Sequence, residues 1–360
     1  DGKNGRGRRM MRAPKFRYVA ARTVKDAALA LRDGGADAML LAGGTDLVPN
    51  MKRRQQTPAI VIGIRNVSEL KKISNGKGLT LGTGLTLTEI TEHEKVRAGY
   101  AALAKAAGSV ATPHLRNMGT LGGNLCLDTR CNYYDQNYEW RKAISFCMKA
   151  PGSTDGHACT SPDGASICWV ATSSPRCWAV SSTDTAPALI ALGAFVSLVS
   201  ADGVRDMALE DLYRNDGMEY LTKRRDEIVT KVHLPPNVEG RRSTYWKLRR
   251  RGSFDFPVLS VAASVRFAEA GSREPGAVAS GAVVREARVV LGAVASRPLI
   301  VPESATLVGQ RLTDDVIEAF AEKAARLAKP LDNTDFELGW RKKVAKSYVV
   351  GALKELRDGR

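Results

Sequence analysis

No run of eighteen apolar residues occurs in this 360-residue sequence, so it contains no candidate for a bilayer-crossing helix. Cysteine is scarce and unevenly placed: all six lie between Cys126 and Cys177. Histidine is scarcer, and His93, His114, His157 and His233 fall in no triad-like or metal-binding spacing. No pair of carboxylates stands out among the 38 acidic residues. The absence of both patterns fits a chain that moves electrons and leaves bond chemistry elsewhere. Aromatic residues make up only 6% and nowhere alternate with basic ones, as single-strand binders tend to, so nucleic acid is not the expected partner. The basic start, DGKNGRGRRMMRAPKF, has no apolar stretch behind it; it reads as a disordered leader, not a signal peptide, with Met10 or Met11 as candidate starts. A cytoplasmic, reducing compartment is expected, where clustered thiols point to metal before disulfides.

The composition that remains, 44% hydrophobic and 26% charged, is that of a globular protein with room for two or three domains. The formal charge is +16, of which +6 accumulates by Arg17. A basic remainder suits phosphate-bearing ligands or an acidic protein partner, or serves solubility alone; charge does not choose between them.

Hydrophobic patterning predicts a strand at 16–20, then a helix capped by Thr23 with Asp26 completing a capping box and Gly34 ending it. Strands are expected at 39–44 and 59–64, a strand, turn and helix entry over 79–97, and an Ala-rich helix at 100–111 stopped before Pro113. A Gly/Ser/Pro-rich surface loop should cover 148–167. Helix returns at 184–192, followed by a hairpin around Ala201-Asp202-Gly203 and a closing strand from Asp226. Strands at 244–250, 258–267 and 282–294 precede helices at 313–328 and 335–356, the order of an α+β domain.

Fifteen residues separate Cys131 from Cys147 and eight separate Cys168 from Cys177, with no C-x-x-C pair anywhere. Structural zinc sites usually carry such tight pairs. Thiolates gathered from wide spacings can hold an iron–sulfur cluster, whose ligands radiate from separate irons. Buried thiols without metal remain the alternative. His157 and Cys159 are spare ligands or bystanders, and Cys126 reads as a small buried residue.

Two glycine segments stand out. LLAGGTDL (40–47) runs a strand into two glycines, a hydroxyl and a carboxylate, and RNMGTLGGN (116–124) is the second. Glycines let backbone N–H groups converge on an anion such as a pyrophosphate. Neither segment is G-x-G-x-x-G, and no helix is expected directly after the first, so a Rossmann site is excluded.

Together with STDTAPALIALGA (181–193), these segments resemble the FAD-binding subunits of the molybdenum hydroxylase (xanthine dehydrogenase) family, a likeness that extends through YWKLRRRGSFDFPVLSVAA and WRKKVAKSYVVGAL. The resemblance implies an α+β architecture: a two-subdomain FAD-binding fold of the vanillyl-alcohol-oxidase type over 16–75 and 76–235, then a C-terminal antiparallel sheet with helices over 240–356. The cysteine segment, an insert at about 128–180, resembles the beta-subunit branch of 4-hydroxybenzoyl-CoA reductases. That likeness implies a [4Fe-4S] cluster on Cys131, Cys147, Cys168 and Cys177, although about a dozen extra residues lie between Cys147 and Cys168. For FAD it implies Leu40, Leu41, Ala42, Gly43, Gly44, Thr45 and Asp46 with Gly119, Thr120, Gly123 and Asn124 around the diphosphate. Asp184 would bond ribose hydroxyls, or cap its helix, or both. Ile228 and Lys247 would approach the isoalloxazine.

The implied activity is electron relay from ferredoxin for reductive dehydroxylation of 4-hydroxybenzoyl-CoA. The molybdenum cofactor and [2Fe-2S] clusters would sit on partner subunits, in a dimer of heterotrimers. The alternative is a flavin subunit of the xanthine or CO dehydrogenase type, passing electrons to NAD or a quinone.

Overall fold

Val24–Gly34 forms the first helix because its start is chemically closed at both ends of a capping box: Thr23 accepts from the Asp26 N–H, and Asp26 accepts from the Thr23 N–H. Such a cap is worth about 1 kcal/mol. Its apolar positions Val24, Ala27, Ala28 and Leu31 are buried. The computed structural model describes residues 11–150, 167–268 and 282–359. This helix packs on a small parallel sheet of β1 (Arg17–Ala20), β2 (Ala38–Leu41) and β3 (Ile60–Gly63), in the order β1-β3-β2. The centre strand, IVIG, is the most apolar of the three, as a strand with neighbours on both sides should be.

Next comes an antiparallel sheet of β4 (Ile73–Asn75), β5 (Leu79–Gly82), β6 (Phe195–Val199), β7 (Val204–Ala208) and β8 (Ile228–Leu234), ordered β4-β5-β8-β6-β7. Leu79 of β5 stands opposite Leu234 of β8, so the sheet joins residues from both sides of the cysteine segment. The helices Ala101–Ser109 and Thr185–Ala191 bury their apolar faces in the same core as this sheet.

A third sheet, also antiparallel, runs β12-β11-β10-β9 from β9 (Arg241–Leu248), β10 (Leu259–Phe267), β11 (Val284–Gly292) and β12 (Leu299–Ile300). Strand β10, LSVAASVRF, is buried along nearly its whole length because both faces are covered. Val261, Ala263 and Val265 join the core under the helices Asp314–Ala325 and Leu338–Asp358, while Ala262 joins the core containing Thr185–Ala191. Period-two alternation thus divides one strand between two cores. The mixed α+β class and the C-terminal antiparallel sheet expected from the sequence are both present.

Local departures have local causes. A six-residue helix, Leu47–Lys52, starts directly after Asp46, where none was expected. The helix expected to run to Arg97 is broken at His93, whose extended backbone (φ −66°, ψ 122°) separates Leu87–Glu92 from Glu94–Gly99. The second glycine segment is partly helical over Leu121–Leu125. No helix among the described residues is long and apolar enough to cross a membrane.

Candidate functional site: a cofactor cavity beside a cysteine cage

The two glycine segments meet. A Cβ on Gly43 would fall 1.9 Å from the Met118 carbonyl oxygen, so only glycine permits this approach of one loop to the other. Gly44 takes φ +73°, which turns the chain towards Asp46. In the second segment Thr120 caps the short helix by accepting from the Gly123 N–H at 3.1 Å. Asn124 then fastens the third motif: its Oδ1 accepts from Thr183 Oγ1 (2.9 Å), Thr185 N (3.0 Å) and Thr185 Oγ1 (2.6 Å). Three motifs distant in sequence are thereby brought to one place.

They wall a cavity of about 720 Å³, within the range of small-molecule and cofactor sites. Leu40, Ala42, Gly43, Gly44, Thr45 and Asp46 line it from one side and Gly119, Thr120, Gly123 and Asn124 from another, with Asp184 and Ile228 completing the expected set. Leu41 and Lys247 are not on the wall. Leu41 lies beneath Gly44. Lys247 stands behind Asp184, with its Nζ 3.0 Å from Asp184 Oδ2 and 3.1 Å from the Ser109 carbonyl. Burial pushes the Lys247 ammonium pKa down, and the Asp184 charge only partly offsets that. Tyr245 Oη donates to the other Asp184 oxygen at 2.7 Å, and the Asp184 side chain makes no capping bond.

Sequence patterning missed several charged residues of this wall. Arg130 is buried, bonds Asp46, lies 3.3 Å from Asp135 and stacks 3.8 Å from the Phe256 ring centroid. Burial alone would lower its pKa, but Asp135, Asp46 and Asp128 outweigh that and raise it. Burial raises the Asp46 carboxyl, against the pull of Arg130. Arg130 Nε is buried and has no hydrogen-bond partner among the described residues. The glycine cradle and the volume fit a dinucleotide such as FAD. No local sequence signal marks Arg130, because the partners that bury it, Asp46 and Phe256, are remote in the chain.

The cysteines converge beside this cavity. The helix Tyr138–Ala143 is followed by Ser145 (φ 60°) and Phe146 (φ 63°), two left-handed residues that turn the chain sharply into Cys147. The Met148 N–H donates to the Ile167 carbonyl at 2.9 Å, bringing the second half of the segment alongside the first. Cys131, Cys147, Cys168 and Cys177 are all buried and line one cavity of about 10 Å³, room for a single water.

Cys177 donates its S–H to Cys168, which holds the Cys168 thiol down to about 5 and pushes Cys177 up; burial pushes Cys131 up to about 12. No three His, Cys, Asp or Glu side chains among the described residues form a group that could hold a metal ion. Four cysteines lining one small cavity nevertheless offer the donor chemistry of a cluster site. Cys126 is apart from this group and lines the large cavity instead. His157 and Cys159 lie outside the described residues. Tyr134 and Lys149 line both cavities and form the partition between them.

Residues 14–237 match the family described as the FAD binding domain in molybdopterin dehydrogenase, and residues 243–356 match the CO dehydrogenase flavoprotein C-terminal domain. The chain is 32% identical over 292 residues to the aldehyde oxidoreductase FAD-binding subunit PaoB of Escherichia coli, covering 79% of this chain and 82% of that protein. Its fold matches that of a carbon monoxide dehydrogenase from Hydrogenophaga pseudoflava (TM-score 0.70, 23% identity, 96% of this chain and 98% of the other). It also matches quinoline 2-oxidoreductase from Pseudomonas putida (TM-score 0.69, 22% identity, 97% and 99%). On the glycine cradle, the fold and these matches, the chain belongs to the FAD-binding subunit family of the xanthine dehydrogenase and CO dehydrogenase type, within the molybdenum hydroxylases.

Proposed function

We propose that this chain binds FAD in the large cavity and a [4Fe-4S] cluster on Cys131, Cys147, Cys168 and Cys177, relaying electrons within a molybdenum enzyme. The observation that carries the reading is the shared partition: Tyr134 and Lys149 separate the cysteine cage from the cavity by one layer of side chains. A flavin supplies one- or two-electron redox chemistry, and the protein contributes binding, orientation and electrostatics. Gly43, Gly44, Gly119 and Gly123 would admit the diphosphate close to the backbone. Asp184, held by Tyr245 and Lys247, would accept from ribose hydroxyls.

The four-cysteine segment and its likeness to the 4-hydroxybenzoyl-CoA reductase branch support that reaction. Two electrons and two protons replace the ring hydroxyl by hydrogen and release water. The molybdenum cofactor and [2Fe-2S] clusters would belong to partner subunits, in a dimer of heterotrimers. Relatives named as FAD-binding subunits and medium chains support a multi-subunit assembly. The charge of +10 that remains after the +6 carried through Arg17 is taken from the total of +16 suits an acidic ferredoxin as electron donor, with exchange that slows steeply as salt rises.

The deciding experiment is anaerobic purification of the native complex with assay of iron, sulfide and FAD on this subunit. About four irons and one FAD are expected. FAD without iron here would remove the cluster and favour transfer to NAD or a quinone.

A further inference from the structure

The partition between the two cavities contains a buried cation whose partners define a role beyond filling space. The Lys149 side chain is only 6% exposed, and its Nζ donates to Asp128 Oδ1 at 2.7 Å, to Thr129 Oγ1 and to the Gly217 carbonyl at 2.7 Å. It also lies 4.7 Å from the Tyr134 ring centroid and 5.4 Å from that of Tyr220. Tyr134 donates its hydroxyl to Asp128 Oδ2 at 2.7 Å, and Gln56 donates to the same oxygen at 3.1 Å. The unit is hydrogen-bonded throughout, so the ammonium is fixed in position. On the cage side, Gly217 presses against a cysteine: its N–H donates to the Cys177 carbonyl at 2.9 Å, and a Cβ there would fall 2.7 Å from Cys177 Sγ. On the other side, Asp128, Tyr134, Lys149 and Tyr220 all face the large cavity.

A stabilised charge of this kind needs a reason, because burying an ammonium costs several kcal/mol even when it is paired. Replacement of Lys149 and Asp128 together by apolar side chains would fill the partition at lower cost. A fixed positive charge in a poorly solvated wall favours the more negative, reduced form of any redox group on either side. The potentials of iron–sulfur groups respond to nearby charge, hydrogen bonding and exposure.

We propose that Lys149 is a positioning residue for electron transfer: its charge, moderated by Asp128, sets the reduction potentials of the groups in both cavities together. This rests on the function proposed above. Both groups take up negative charge on reduction, so the cation should raise both potentials and the carboxylate should lower both.

The test uses the anaerobically purified complex and redox titrations of its iron–sulfur and flavin signals, with iron and FAD content measured alongside. Lys149→Met should lower both midpoints and Asp128→Asn should raise both. The expected size is roughly tenfold in each reduction equilibrium, about 59 mV for a one-electron couple. Lys149→Arg, which keeps the charge, should restore most of the shift. Midpoints that stay put in variants retaining iron and FAD overturn the role given to Lys149. If Lys149→Met fails to retain its cofactors, Asp128→Asn decides alone, and an unmoved or lowered pair of midpoints overturns the proposal. Wild-type subunit lacking iron fails the underlying reading and this proposal with it, a result the iron assay returns before any variant is made.

Discussion

Asp184 and Lys247 form an ion pair at 3.0 Å whose side chains are only 2% and 4% exposed, immediately behind the cofactor cavity. A pair this buried is strongly asymmetric in energy: removing one partner strands the other's charge, whereas replacing both can be nearly neutral. Lys247→Met is therefore expected to destabilise the protein by about 3–5 kcal/mol. The double variant Asp184→Asn/Lys247→Met should lose less than the two single variants summed. Denaturant unfolding of the four proteins checks this, and additive losses would mean the two side chains act independently.

Gly43 tests the cradle. Alanine there drives a methyl group into the Met118 carbonyl at 1.9 Å and forces the two glycine segments apart. Over-packing of this kind costs about 1–3 kcal/mol. The strain falls on the cavity wall, so the Kd for FAD should rise about tenfold for each 1.4 kcal/mol that it costs in binding, measured by titrating FAD into the stripped protein. Gly76→Ala, with nothing within 4 Å of the added carbon, is the control. An unchanged Kd in Gly43→Ala would show that the close approach is not needed for binding.

The cysteines among the described residues divide into four and one. Serine at Cys131, Cys147, Cys168 or Cys177 should lower iron content and bleach the visible cluster absorption, since each lines the cage. Serine at Cys126, which lines the larger cavity, should leave iron unchanged. Equal iron in all five variants would separate the cage from metal binding altogether.

A pH dependence follows from Glu227. Arg205 donates to both of its oxygens, at 2.6 and 2.9 Å, and the Arg224 N–H donates at 2.7 Å. The Arg205 hydrogen bond holds the Glu227 carboxyl below the ordinary glutamate value. A carboxyl with a lowered folded-state pKa contributes stability above its unfolded value and loses it as pH falls through the folded one. Glu227→Gln should thus cost about 1.5–3 kcal/mol near neutrality. Unfolding curves of wild type and variant should converge on acidification below the ordinary glutamate pKa of 4.5. A gap that is constant with pH would assign the loss to packing and not to charge.

Much of this molecule was legible because its local signals agree with one another. The capping box at Thr23 and Asp26, the Ala-rich helix before Pro113 and the alternation in β10 each follow from a short stretch of chain. The glycine segments were recognisable as anion cradles, and residues of both face one cavity. Periodicity has no way to report a charged side chain that is buried because distant partners surround it. Arg130 and Lys149 look like surface residues until Asp46, Asp128 and Gly217 close around them. Lys247 was read towards the ligand, but its strand directs it to Asp184 and the Ser109 carbonyl. The break at His93 was likewise invisible, since the composition of 87–97 is helical throughout.

The pairing of Leu79 with Leu234 has a bearing on how the protein is made. During translation, β8 leaves the ribosome after both glycine segments and every cysteine of the cage. Contacts between residues remote along the polymer are also slow to form, because loop entropy is lost before pairing compensates it. The seam between β5 and β8 therefore closes late, after the whole cysteine segment has been made.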